Sequence, residues 1–250
     1  MIKFEKVEVT GFMPALRGVR NNYNSHAKSD TETKLTLGDD DTVVDNIVDS
    51  IKYNMTELYQ NAPRNMAKLY NFPLVFGEND ENLLMRLAKG EGPHAKFRRM
   101  IIVWVDITAP FLWWKEFDTY KIGTTANSES TMHNVLDKPV SIDNFTATDR
   151  NIPLWTNIIN GLNAIREDYF MAKKTGDKDA MDKHWRTIIE ALPSGYMQKR
   201  TICFNYEVLR QIYKYRENHK LYEWRRMCDW IERLPCSQFI TLKEDEEDED

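Results

Sequence analysis

The chain has 250 residues with 42% apolar content and 34 Lys and Arg against 39 Asp and Glu, ordinary values for a soluble globular protein of one sizeable domain or two small ones. Its last eight residues, Lys243 to Asp250, alone carry −6 against a formal −5 for the whole, which leaves +1 on residues 1–242 and no basic block for backbone-driven nucleic-acid binding. No apolar run approaches the roughly 20 residues of a membrane-spanning helix, and the start Met1-Ile2-Lys3-Phe4 lacks the apolar core of a signal peptide, so a cytoplasmic protein with no membrane or nucleic-acid partner is expected.

Ile2, Phe4, Val7 and Val9 sit among charged neighbours over residues 2–10, which predicts a strand broken by Gly11; a polar stretch follows. Val44, Ile47, Ile51, Met55 and Leu58 recur every three or four residues and form one stripe of a helix that begins near the acidic run Asp39-Asp40-Asp41. Gly77-Glu78-Asn79-Asp80 offers a cap for a shorter helix through Leu83, Leu84 and Leu87, ended by Gly90 and Gly92. Residues 100–107 are β-branched and almost continuously apolar, as in a central strand covered on both faces. Pro110 opens a helix from Phe111 to Tyr120, whose aromatic bulk packs on that strand. After Asp149 a helix runs through Leu154, Ile158, Leu162, Ile165 and Tyr169, pauses at Thr175-Gly176-Asp177, and resumes through Trp185, Ile188 and Ile189 until Leu192-Pro193. A second strand over 196–204, helices over roughly 206–217 and 221–233, and a solvated, disordered acidic tail at 243–250 complete the chain. With no repeat, Gly/Ser linker or boundary, residues 1–242 read as a single α/β (α+β) domain, a mixed sheet flanked by helices.

Two stretches set charged and amide groups among aromatics in a way that core packing does not require. In residues 113–133, Glu116 and Tyr120 lie one helical turn apart, and the loop that follows through Asn127, Ser128, Glu129 and Ser130 can surround a polar ring or a phosphate; the alternative is that these hydroxyls only cap turns. In residues 192–224, a helix from Asn205 to Arg216 sets its ends about 16 Å apart, too far for one small ring to bridge. The ends therefore serve an extended cofactor or different sites in an oligomer. Arg216 offers a planar fork for a phosphate or an imide edge, and the alternative is a surface pair with Glu217 or Glu223.

Over roughly residues 78 to 232 the order and spacing of these stretches resemble the flavin-dependent thymidylate synthases. The matching pieces are Ala109-Pro110, Asn127-Ser128-Glu129-Ser130, Leu192-Pro193, Asn205, Arg216, and His219 with Glu223. The resemblance implies that family's fold, a homotetramer with sites where subunits meet, and a FAD- and NADPH-dependent transfer of a one-carbon unit from methylenetetrahydrofolate to C5 of dUMP or a related pyrimidine nucleotide, without an enzyme nucleophile. It makes Arg216 and Ser130 the catalytic candidates, Arg216 by stabilising the ionised imide of the uracil ring. Glu116, Thr119, Ser128, Glu129, Ser130 and Arg216 would bind the nucleotide, and Tyr120, Lys121, Asn205, Gln211 and His219 would hold FAD. The chain departs from the family where Thr119-Tyr120-Lys121 replaces its Arg-His-Arg, where Met132 replaces the final Arg of the loop, and at an extra residue, Ala126. Each charge-assisted hydrogen bond lost to a phosphate is worth roughly 1.5–3 kcal/mol. The second reading is thus a catalytically inactive scaffold of the same fold that binds a nucleotide or acts in assembly.

Cys203, Cys228 and Cys236 make an odd count without CxxC spacing and the histidines are scattered, so neither a disulfide framework nor a zinc site is expected. Leu234-Pro235-Cys236-Ser237 resembles the nucleophile segment of the unrelated cysteine-dependent thymidylate synthases; it stands alone beside the acidic end and is read as coincidence. The tryptophans are accounted for by core packing.

Overall fold

The computed structural model describes residues 1–33, 74–146 and 151–243. The helix expected after Asp41 and the acids beyond Lys243 lie outside these residues. Strand β1 (Lys3–Thr10) ends at Gly11, where φ is +100° and a Cβ would stand 2.0 Å from the Met100 carbonyl oxygen. Only glycine lets the chain turn there. The stretch read as merely polar is a helix, α1 (Phe12–Asn21), which buries Phe12, Ala15, Leu16 and Arg20. A short pair, β2 (Glu32–Thr33) with β3 (Leu74–Val75), is antiparallel. Next come α2 (Glu78–Lys89), a 3-10 turn (Lys96–Met100), β4 (Ile102–Pro110) and α3 (Phe111–Phe117). Helix α3 stops three residues before the expected Tyr120, because the Thr119 hydroxyl donates to the Glu116 carbonyl at 2.8 Å and closes the last turn. The remaining elements are β5 (Thr124–Ser128), α4 (Thr131–Asn134), α5 (Ile152–Thr175), α6 (Lys178–Glu190), β6 (Met197–Asn205), α7 (Tyr206–Arg216), α8 (Tyr222–Ile231) and α9 (Gln238–Thr241).

The fold is α+β, with a four-stranded sheet in the order β1-β4-β6-β5 that places β4 in its interior. The sheet is antiparallel where a mixed one was expected. Tyr206 N donates to the Ile101 carbonyl at 3.0 Å and Phe111 N to that of Tyr196 at 3.0 Å, so β4 and β6 run in opposite directions. The long apolar run of β4 suggested burial on both faces, but Trp104 stays 38% exposed between buried Val103 and Val105. Among the described residues no helix is long and apolar enough to cross a membrane.

The residues group into two compact units. Among the described residues the smaller comprises 1–3, 107–119, 127–146 and 151–201. Its core of Val135, Leu136, Val140, Phe145, Leu162 and Ile188 is flanked by Trp155 and Tyr196. Gly176 (φ +77°) ends α5, and the Asp177 carboxylate caps α6 by accepting from Ala180 N at 3.0 Å.

Among the described residues the larger unit comprises 4–33, 74–106, 120–126 and 202–243 and buries Leu16, Leu84, Phe97, Tyr206, Leu209, Trp224 and Phe239. Edge-on aromatic pairs tie it together, Phe12 with Tyr206 at 5.6 Å and Phe97 with Phe239 at 5.8 Å. Asp80 and Arg98 are among the charged groups sealed inside. Asp80, fully buried, accepts from Arg20 Nε at 2.8 Å and, on its other oxygen, from the hydroxyls of Ser29 (2.6 Å) and Thr31 (2.7 Å). Arg98 donates to the carbonyls of Phe239 (2.6 Å) and Ala88 (3.0 Å).

Candidate functional site

In the larger unit, Asn205 is both the last residue of β6 and the cap of α7, its side-chain oxygen accepting from Val208 N at 3.1 Å. Burial of Val208, Leu209, Ile212 and Tyr213 fixes which way α7 faces, so Arg216 emerges half-buried from its last turn. There Arg216 Nε donates to the Tyr120 hydroxyl at 3.0 Å. The guanidinium carbon lies 4.7 Å from the centre of the Trp224 ring and 5.7 Å from that of Tyr120. The two rings meet at 5.7 Å and 60°, with Trp224 fully buried. His219 stands 6.2 Å from Trp224, and its Nδ1 accepts from Leu221 N at 3.2 Å, which places the proton of the neutral ring on Nε2. Tyr120, Arg216 and His219 are thus brought together around Trp224. Asn205 lies at the opposite end of α7, beside Gly123, whose φ of +79° suits the close approach: a Cβ there would be 3.0 Å from the Asn205 amide nitrogen. Lys121 and Gln211 are exposed. Of the carboxylates considered as surface partners for Arg216, Glu217 accepts from the Tyr213 hydroxyl (2.9 Å) and from Lys243 (3.0 Å), and Glu223 is buried.

In the smaller unit, the region expected to be a loop is a strand end followed by one helical turn. Its residues show no apolar alternation, and pairing with β6 defines them: Glu129 N donates to the Lys199 carbonyl at 2.9 Å. Ser130 takes the cap position of α4, and its carbonyl accepts from Asn134 N at 3.1 Å. The Glu129 carboxylate accepts from the Asn134 amide at 3.2 Å and, on its other oxygen, from Lys199 N at 3.4 Å. Gln198 ties this turn down, its amide donating to the Glu129 carbonyl at 2.9 Å and to the Thr131 hydroxyl at 3.3 Å. Arg200 Nε donates to the Gln198 side-chain oxygen at 3.0 Å, and its Nη1 pairs with Asp118 at 2.8 Å. The Arg200 guanidinium lies 4.2 Å from the centre of the Trp114 ring. Ser128 and Glu129 are exposed, Ser130 and Glu116 half-buried, and Thr119 exposed. Burial pushes the Tyr196 phenol above its ordinary range, and the charge of Glu129 pushes it further.

Sequence reasoning passed over Trp114, Asp118, Gln198 and Arg200. Gln198 and Arg200, two apart on β6, necessarily share a face, and that period-two pattern was the available signal. Burial pushes the Cys236 thiol well above the usual thiol range, helped by Glu81, and raises Cys228 to about 12. Neither is poised as a nucleophile. Among the described residues no three His, Cys, Asp or Glu side chains converge in a way that could hold a metal ion.

No protein-family model and no curated protein matches the chain. Among solved structures, the flavin-dependent thymidylate synthase ThyX from Helicobacter pylori, complexed with FAD and dUMP, aligns with a TM-score of 0.60 over 96% of this chain and 98% of its own, at 13% identity. The chain has a flavin-dependent thymidylate synthase fold. A second structure of Helicobacter pylori ThyX with FAD and dUMP gives the same TM-score over 97% and 98% of the two chains, at 12% identity. At 12–13% identity the likeness is one of fold.

Proposed function

We propose that the chain is a flavin-dependent thymidylate synthase-like enzyme that transfers a one-carbon unit from methylenetetrahydrofolate to dUMP or a related pyrimidine nucleotide, using FAD and NADPH in a homotetramer. The observation that carries this reading is the likeness of fold, along nearly the whole chain, to two structures that hold FAD and dUMP.

The donor set suits a flavin. Spread along α7 and beyond it, the amides of Asn205 and Gln211 and the Nε2–H of His219 suit separate parts of an extended dinucleotide cofactor or of separate sites in an oligomer, and the exposed Lys121 ammonium suits a diphosphate. Tyr120 belongs with them as an aromatic neighbour. When bound, a reduced flavin supplies the hydride equivalent and mediates the one-carbon transfer. The Arg216 guanidinium lowers the energy of an ionised imide and so makes the pyrimidine ring more nucleophilic at C5. Ser128, Glu129 and Ser130, held by Gln198 and Lys199, offer hydroxyl and carboxylate groups to the nucleotide, with Glu116 and Thr119 at the end of α3. Arg200 supplies a guanidinium fork on that side, where Thr119 and Met132 carry no charge.

The test is to load the purified full-length chain with FAD and to follow dUMP-dependent NADPH oxidation and product formation. Uptake of about one flavin per subunit with dUMP-dependent turnover supports the enzyme, as does loss of that turnover in Arg216→Ala. The uncharged residues at 119 and 132 favour one other reading, an inactive nucleotide-binding or assembly scaffold. A chain that binds dUMP but takes up no flavin would establish it.

A further inference from the structure

We infer that the acidic residues 244–250 dock on the basic corner between α7 and α8, around Lys220 and Arg225, and there compete with an anionic nucleotide. The docking stands on charge and reach; the competition rests on the enzyme reading above. All seven of these residues are Asp or Glu. Residues 214–226 carry five Lys and Arg against two Glu. Of the two, Glu223 is buried and Glu217 is paired with Lys243 at 3.0 Å. Lys214 is engaged by Glu91 at 3.2 Å and Arg226 by Asp229 at 3.7 Å. Lys220 and Arg225 are exposed, and among the described residues neither pairs with a carboxylate. Arg225 is instead positioned through Nη1, which donates to the carbonyls of His219 (2.6 Å) and Lys220 (3.1 Å).

The point from which the acids depart is pinned beside that corner. Lys243 Nζ lies 3.0 Å from Glu217 and 3.0 Å from Glu232, and 5.3 Å from the centre of the Tyr213 ring. The Tyr213 hydroxyl donates to the same two carboxylates at 2.9 and 2.6 Å. Lys220 follows Glu217 by three residues, so their Cα atoms are at most about 11 Å apart at 3.8 Å per step. Seven extended residues span up to about 24 Å, enough to bring the acids onto Lys220 and Arg225. Exposed ion pairs are weak one by one, but tethering makes their encounter intramolecular, and seven charges supply many of them. A nucleotide monophosphate approaching Arg216, four residues before Lys220, therefore meets a corner whose cations are already covered by negative charge.

Carbodiimide coupling of the unmodified full chain tests the docking, since it joins a carboxylate to a nearby ammonium as an amide while the carbodiimide takes up the water as a urea. At about 50 mM salt, peptides linking Lys220 to residues 244–250 are expected in mass spectra at least about fivefold more abundantly than from the chain unfolded in urea. At about 500 mM salt the excess should vanish. Equal yields from the folded and unfolded chains at low salt would overturn the docking. The competition is tested by titrating dUMP into the full chain and into one whose seven terminal acids are replaced by Gln and Asn. The neutralised chain is expected to bind dUMP about fivefold more tightly at about 50 mM salt and within about twofold at about 500 mM. Equal affinity at low salt would overturn the competition. If the Lys220 link forms and neither chain binds dUMP, the docking stands, and the enzyme reading falls together with the competition.

Discussion

Arg98 and Arg216 belong to the same unit and carry the same charge, yet their surroundings differ in kind. Arg98 is 1% exposed, and its fork is used on the carbonyls of Phe239 and Ala88, with Glu207 at 3.7 Å. Burial lowers its pKa to about 10, against the opposing pull of Glu207. Arg216 is half-buried, held by one phenol and by the faces of two rings. Buried carbonyls are fixed acceptors that no ligand can replace, so Arg98 is a staple between segments. Ring faces orient a charge through its flat surface rather than through a fixed buried acceptor. The kind of partner, more than charge or burial alone, separates the arginine that holds the fold from the one proposed to do chemistry.

The comparison is broken most directly by Arg98→Ala, which strands two buried carbonyls and Glu207. Unfolding in urea is expected to reveal a loss of about 3–5 kcal/mol, and a loss under about 1 kcal/mol would put Arg98 in the same class as Arg216. Asp80→Asn extends the contrast to a second sealed charge and is expected to cost about 2–4 kcal/mol by leaving Arg20 without its counter-charge. Burial alone would raise the pKa of Asp80, but the hydrogen bonds from Ser29, Thr31 and Arg20 outweigh it and hold the carboxyl below its ordinary 3.8. The folded state therefore binds this proton less readily than the unfolded chain. The stabilisation is present above pH 3.8 and is lost as the pH falls through the lower folded value, and the Asn variant should lack that part of the acid limb. Arg216→Lys sharpens the other side of the comparison: stability should change by under about 1 kcal/mol in the same urea experiment. Cys236→Ser has the smallest expected effect, with dUMP turnover unchanged within about twofold, because its raised, buried thiol takes no part.

What could be read from the sequence follows from how local each signal is. The strand Ile102–Pro110 and the helix Tyr206–Arg216 declare themselves by apolar runs and helical spacing, and the structure places both close to the expected bounds. Helix α1 escaped notice because its buried apolar residues are only Phe12, Ala15 and Leu16, diluted by arginines and asparagine. Strand β5 carries Thr-Thr-Ala-Asn-Ser, which has no pattern of its own and becomes a strand only through its neighbour. At the candidate site, Arg216 and the turn at Ser130 could be picked out one by one, but their partners could not. Tyr120 and Arg216 are 96 residues apart, and only tertiary folding brings them within a hydrogen bond.

The passage from β6 to α7 has a consequence for how the chain can change. Asn205 closes the strand and caps the helix in one residue, so there is no slack between sheet and helix. One residue inserted after Asn205 would turn every later position of α7 by about 100° relative to its buried stripe. Either Leu209 and Ile212 would swing into water, or the helix would rewind and carry residue 216 away from Trp224. Length variation is therefore tolerable in the connections after Arg216 but not in the eleven residues of the helix itself, which act as a gauge between the sheet and the guanidinium.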